Sequence, residues 1–64
     1  MNERYLTTAE VADRCRTTVE TVRYWRHTDY VPRGFKVGRR VLYAESEVHE
    51  WLARLRRESP EPAA

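Results

Sequence analysis

Thr21, Arg23, Tyr24, Arg26 and His27 stand close together in the chain, and the adjacent pair Arg39-Arg40 follows a short way on. A guanidinium offers a planar fork of donors that matches phosphate oxygens or the major-groove edge of guanine. Threonine hydroxyls and an imidazole bond phosphates or base edges. The chemistry in this set is recognition of a polyanion, with Thr18, Glu20 and Lys36 beside it and Arg16 and Arg33 as further backbone contacts.

The distribution of charge points the same way. The formal net charge is only +2. Between Arg14 and Arg40, however, lie Arg14, Arg16, Arg23, Arg26, Arg33, Lys36, Arg39 and Arg40, opposed only by Glu20 and Asp29. The acids gather later, at Glu45, Glu47 and Glu50, where they serve a helix start and solubility. A cationic middle on a nearly neutral chain is the electrostatic footprint of a nucleic-acid-binding face.

Catalytic readings find little support. There is no Ser-His-Asp set, no carboxylate pair and no phosphate-binding glycine loop, and only two glycines are present. With 64 residues the chain forms one domain with a thin core and no deep cleft. The lone Cys15 permits no internal disulfide and reads as a small buried hydrophobe. His27 and His49 lack the neighbours a metal site needs, so no metal and no cofactor is expected. No apolar run nears the roughly 18 residues of a membrane span, and no signal peptide is evident, so the expected compartment is the cytoplasm.

The elements that must position the cationic set are legible from local signals. Thr7 with Glu10 three residues on is a capping box, and Leu6 with Val11 occupies the hydrophobic-staple positions. A first helix is predicted over 8–14, with Val11, Ala12 and Cys15 inward. Thr18 caps a second helix over 19–27, where Val19, Val22 and Trp25 mark one face and Glu20, Thr21, Arg23, Tyr24 and His27 the other. Two helices so closely joined form a helix-turn-helix unit. Gly34-Phe35-Lys36-Val37 and Arg40-Val41-Leu42-Tyr43 then flank a Gly38-Arg39 turn, a β-hairpin with a basic tip. A third helix is predicted over 44–57, with Val48, Trp51, Leu52 and Leu55 as its apolar stripe. Trp25 and Trp51 belong to the core. The expected fold is mostly α with a small β-hairpin: a winged helix-turn-helix over residues 1–57, followed by a loose tail at 58–64.

Leu6-Thr7-Thr8-Ala9-Glu10-Val11-Ala12 followed by Thr21-Val22-Arg23-Tyr24-Trp25 resembles the DNA-binding domain of the MerR superfamily. The Val37-Gly38-Arg39-Arg40 wing and Glu47-Val48-x-x-Trp51-Leu52 resemble its small excisionase-like members, the recombination directionality factors. The resemblance covers about Tyr5 to Leu55. It implies a recognition helix carrying Thr21, Arg23 and Tyr24 to DNA, and a wing carrying Arg39 and Arg40. The long dimerisation helix and the sensing segment of full MerR regulators do not follow, so no small-molecule ligand is expected. The implied partners are double-stranded DNA, an integrase, and further copies of the chain bound side by side on DNA. A small BldC- or AlpA-like transcriptional regulator remains the alternative within this fold. A protein-interaction adaptor is the alternative outside DNA binding, and it should present a more apolar face on the second helix.

Overall fold

The computed structural model describes residues 2–60. A first strand, β1 (Tyr5–Thr7), runs directly into α1 (Thr8–Arg14). Thr7 closes it with the capping box: its hydroxyl accepts from Glu10 N at 3.1 Å while Glu10 Oε1 accepts from Thr7 N at 2.8 Å. Four residues separate α1 from α2 (Val19–His27), which begins with the Thr18 hydroxyl accepting from Thr21 N at 3.2 Å. The wing follows as β2 (Phe35–Val37) and β3 (Arg40–Ala44), and α3 (Glu45–Glu58) closes the order of a winged helix-turn-helix.

Both helices of the helix-turn-helix unit end alike. After α1, Arg16 N donates to Asp13 O and Thr17 N to Ala12 O, with Arg16 left-handed at φ 57°. After α2, Asp29 N donates to Arg26 O and Tyr30 N to Trp25 O, with Asp29 at φ 58°. These are Schellman closures, in which a left-handed residue satisfies the last carbonyls and turns the chain sharply. Glycine would take that conformation without steric cost; here an arginine and an aspartate hold it.

β1 is an addition to the predicted elements. The sheet has three antiparallel strands in the order β1-β3-β2, with Leu6 opposite Tyr43 and Phe35 opposite Leu42. Leu6 and Tyr43 therefore share the inner face, where they join Val11, Ala12, Val22, Val31, Val48 and Trp51 in the core. Tyr5 and Phe35 share the outer face, and their rings meet edge-on across β3 at 5.5 Å. Cys15, expected among the inward residues of α1, caps that helix and is only half-buried, packed against the core's edge. Its burial still pushes the thiol above its ordinary value.

The wing bends on two glycines. Gly38 (φ 61°) followed by Arg39 gives the φ pattern of a II′ turn, whose twist suits paired strands. Gly34, expected inside the first wing strand, instead precedes it at φ 69°. A Cβ there would lie 2.6 Å from Leu42 O and 2.9 Å from the Tyr43 ring, so the close approach of the incoming loop to β3 requires glycine.

Two ends of α3 differ from the sequence expectation. Ala44 is the last residue of β3 and the N-cap, without a side chain able to cap. The N-terminal segment supplies the missing acceptors: Arg4 O accepts from Glu45 N at 2.8 Å, and the Glu3 carboxylate accepts from Ser46 N at 3.2 Å and Ser46 Oγ at 2.6 Å. An acid at this end also suits the positive pole of the helix. At the other end Glu58 completes α3 rather than starting the tail, and residues 61–64 of that tail lie outside the described residues.

An aromatic cluster docks α3 on the helix-turn-helix. Trp25, Tyr30 and Trp51 meet pairwise edge-on, with centroids 5.3, 5.6 and 6.1 Å apart. Such pairs contribute about 0.5–1.5 kcal/mol each beyond their buried area. Both tryptophans are structural, as expected: Trp51 is buried and Trp25 packs against the core. Tyr30 is the member the sequence did not reveal.

Candidate nucleic-acid interface

The outward residues of α2 are set by its register. Val22 is fully buried and Val19 and Trp25 pack on the core, so Glu20, Arg23, Tyr24 and His27 must project away from it. Tyr24 is the most open of the large apolar side chains, at 66% exposure. It borders a shallow depression with Trp25, Thr28 and Tyr30 on one flank of the helix. Arg23 lies on the opposite flank, which faces the wing.

The two threonines of the expected site are partly committed to the fold. Thr18 Oγ1 accepts from Thr21 N and also hydrogen-bonds Thr21 Oγ1 at 2.9 Å. The pair holds the start of α2 and presents one joined hydroxyl unit, with Glu20 in the first turn.

The arginines fall into three groups. Arg23, Arg26, Arg39 and Arg40 line a single open cleft between α2 and the wing. Arg33 stands apart on the loop before the wing, where it lies 3.7 Å from Asp29; both side chains are largely solvated, so this ion pair is weak. Its carbonyl accepts from Arg26 Nε at 3.4 Å, and Arg26, His27, Asp29 and Arg33 surround a second open hollow. Arg16 is exposed in the turn between the helices, and Lys36 is exposed on β2. The structure thus gathers eight of the twelve expected contact residues onto α2 and its wing cleft (Glu20, Thr21, Arg23, Tyr24, Arg26, His27, Arg39 and Arg40), with Thr18 at the helix start and Arg16, Arg33 and Lys36 on the periphery.

Arg14, counted in the cationic stretch, has another use. Its guanidinium donates to Glu45 Oε2 at 2.8 Å and contacts His49 Nε2, tying the end of α1 to the start of α3. The Arg14 hydrogen bond holds the Glu45 carboxyl below its ordinary value, with lesser help from the charges of Arg14, Arg4 and His49. Glu45 is therefore more than a helix-start acid, a role its distance from Arg14 in sequence concealed. Among the described residues no group of three or more His, Cys, Asp or Glu is placed to hold a metal ion, and no helix is long and apolar enough to cross a membrane.

Residues 5–56 match the family model described as a helix-turn-helix domain. The chain belongs to the helix-turn-helix domain family. The matched span takes in every element from β1 through nearly all of α3, so the wing and the closing helix are part of the family pattern. Comparison with curated proteins and with solved structures finds no match. A helix-turn-helix domain is a DNA-binding module, and the exposed face of α2 with its adjoining basic wing is the part of this one chemically suited to that task.

Proposed function

We propose that this helix-turn-helix protein is an excisionase: it binds tandem sites in an attachment region, bends the DNA and directs an integrase toward excision. Within this reading α2 enters the major groove with Glu20, Thr21, Tyr24 and His27 toward the bases and Arg23 on its wing-side flank at the DNA. Arg39 and Arg40 follow the adjacent backbone or minor groove, where the negative potential favours arginine. Arg16, Arg33 and Lys36 add phosphate contacts that raise affinity without reading sequence. Double-stranded DNA in the cytoplasm is the partner, and the helix-turn-helix protein acts by binding, without catalysis or cofactor.

The observation that carries the reading is the wing cleft. Four arginines, Arg23, Arg26, Arg39 and Arg40, stand between α2 and the hairpin. A single module of this size covers about 600–1,000 Å² on DNA. Contacts between copies on adjacent sites then supply the remaining affinity.

A small transcriptional regulator of the same fold is the second reading, favoured by the same face. Gel shifts on DNA spanning the attachment region and on promoter DNA, with bending measured by circular permutation, separate the two. Stepwise cooperative shifts with a bend at the attachment region support the excisionase. A single unbent complex confined to a promoter overturns it in favour of the regulator.

A further inference from the structure

We propose that the cleft between α2 and the wing is a phosphate clamp, in which Arg23 and Arg26 of the helix and Arg39 and Arg40 of the wing together grip the backbone of one DNA strand. Arg23 then acts with the wing and does not read a base. This inference rests on the DNA-binding reading and deepens it.

The cleft encloses about 530 Å³ and opens to solvent, with Tyr43 and Thr7 among its walls. No carboxylate lines it. Neither ion pair among the described residues involves any of the four arginines, since those pairs are Arg14–Glu45 and Arg33–Asp29. Arg26 spends one N–H on the Arg33 carbonyl, which leaves its other donors free. Four uncompensated cations around one hollow repel each other, and an anion that enters relieves all four at once. The forked guanidinium suits a phosphodiester, which presents two charged oxygens.

Helix geometry separates this cleft from the base-reading edge. Arg23 and Arg26 are three residues apart and share a flank, the one turned to the wing. Tyr24 belongs to the opposite flank, beside Thr28 and Tyr30. Glu20 and His27, seven residues apart, run along the ridge between the flanks. A strand seated in the clamp places that ridge, with Tyr24, against the bases. Sequence discrimination falls to Glu20, Tyr24 and His27.

The test is a set of anisotropy titrations across a range of salt, using the tightest duplex from a random-sequence selection and a scrambled duplex. The proteins are wild type, Arg23→Ala, Arg39→Ala and the double variant, each checked for folding by circular dichroism. Each single substitution is expected to weaken both duplexes by the same factor and to lower the salt slope by about one. The double variant is expected to lose less than the product of the single losses, because the two side chains share one phosphate site. His27→Ala, in contrast, should narrow the gap between the duplexes. Loss of discrimination in Arg23→Ala with an unchanged salt slope assigns Arg23 to a base and overturns the clamp, as does full additivity with Arg39→Ala. Inorganic pyrophosphate should displace the duplex from wild type more than sodium chloride of equal ionic strength does, and should lose that advantage with Arg23→Ala; an equal advantage in both proteins would place the anion outside the cleft and overturn the clamp. The wild-type titration reports on DNA binding itself, so its failure is separate from failure of the clamp.

Discussion

Trp25 and Tyr30 meet edge to face at 5.3 Å, and they are also the two residues whose backbones close α2, Tyr30 N donating to Trp25 O at 2.9 Å. The same pair thus ends α2 and anchors it, because both rings also contact Trp51 on α3. The cluster adds to the core packing of Val19 and Val22 in holding α2 in place.

Trp51→Ala should therefore be severe. Removing a buried aromatic typically costs about 3–5 kcal/mol, a large fraction of the stability of a small domain. Thermal unfolding followed by circular dichroism is expected to show a variant largely unfolded near 37 °C. Tyr30→Leu, which keeps apolar bulk at the helix closure, should lower the melting temperature by much less.

Asp29 offers a gain. It holds a left-handed conformation at φ 58°, as the residue after the cap of α2. Asp29→Gly removes the steric penalty and only a weak, solvated contact to Arg33. An increase of about 1 kcal/mol in unfolding free energy is expected from denaturant titration. A loss of stability would show that the Asp29–Arg33 contact outweighs the backbone strain.

Much of this was legible in the sequence, and the pattern of what was not is physical. Thr7 with Glu10, and Thr18 before Val19, placed the starts of α1 and α2 because a cap is local: its donors and acceptors lie within three residues. The stripe of Val48, Trp51, Leu52 and Leu55 placed α3 for the same reason. β1 is three residues long, too short for an alternation to register, and it exists through pairing with residues far along the chain: Tyr5 with Ala44 and Leu6 with Tyr43. The link from Arg14 to Glu45 and the capping of Ser46 by Glu3 are equally non-local. On α2 the periodicity told which residues face outward. It could not tell which flank meets the wing, and that is what groups Arg23 with Arg39 and Arg40 and leaves Tyr24 on the far side.

Tyr43 bears a hydroxyl that is buried without a hydrogen-bond partner among the described residues, and its ring is fully enclosed in the core. An unsatisfied buried hydroxyl costs about 1–3 kcal/mol. Tyr43→Phe keeps the ring and removes the cost, so the melting temperature should rise or stay level. A clear drop would reveal a partner for the hydroxyl, such as an enclosed water.

The Arg14–Glu45 link makes stability depend on pH. The folded Glu45 carboxyl titrates below its ordinary value, so its contribution is present above the unfolded value and fades as pH falls through the folded one. Wild type should exceed Glu45→Gln in melting temperature at neutral pH, and the gap should close as pH falls below about 4. A gap independent of pH would indicate that packing, and not charge, joins α1 to α3 here.

The most direct test of the central claim is a gel-shift titration of the intact protein on DNA from the flanks of its own gene, any attachment region included, repeated at rising salt. A saturable shift stronger than on random DNA, and weakening steeply as salt neutralises the arginine contacts, is the expected result. No shift even at low salt would contradict DNA binding by the α2 and wing face.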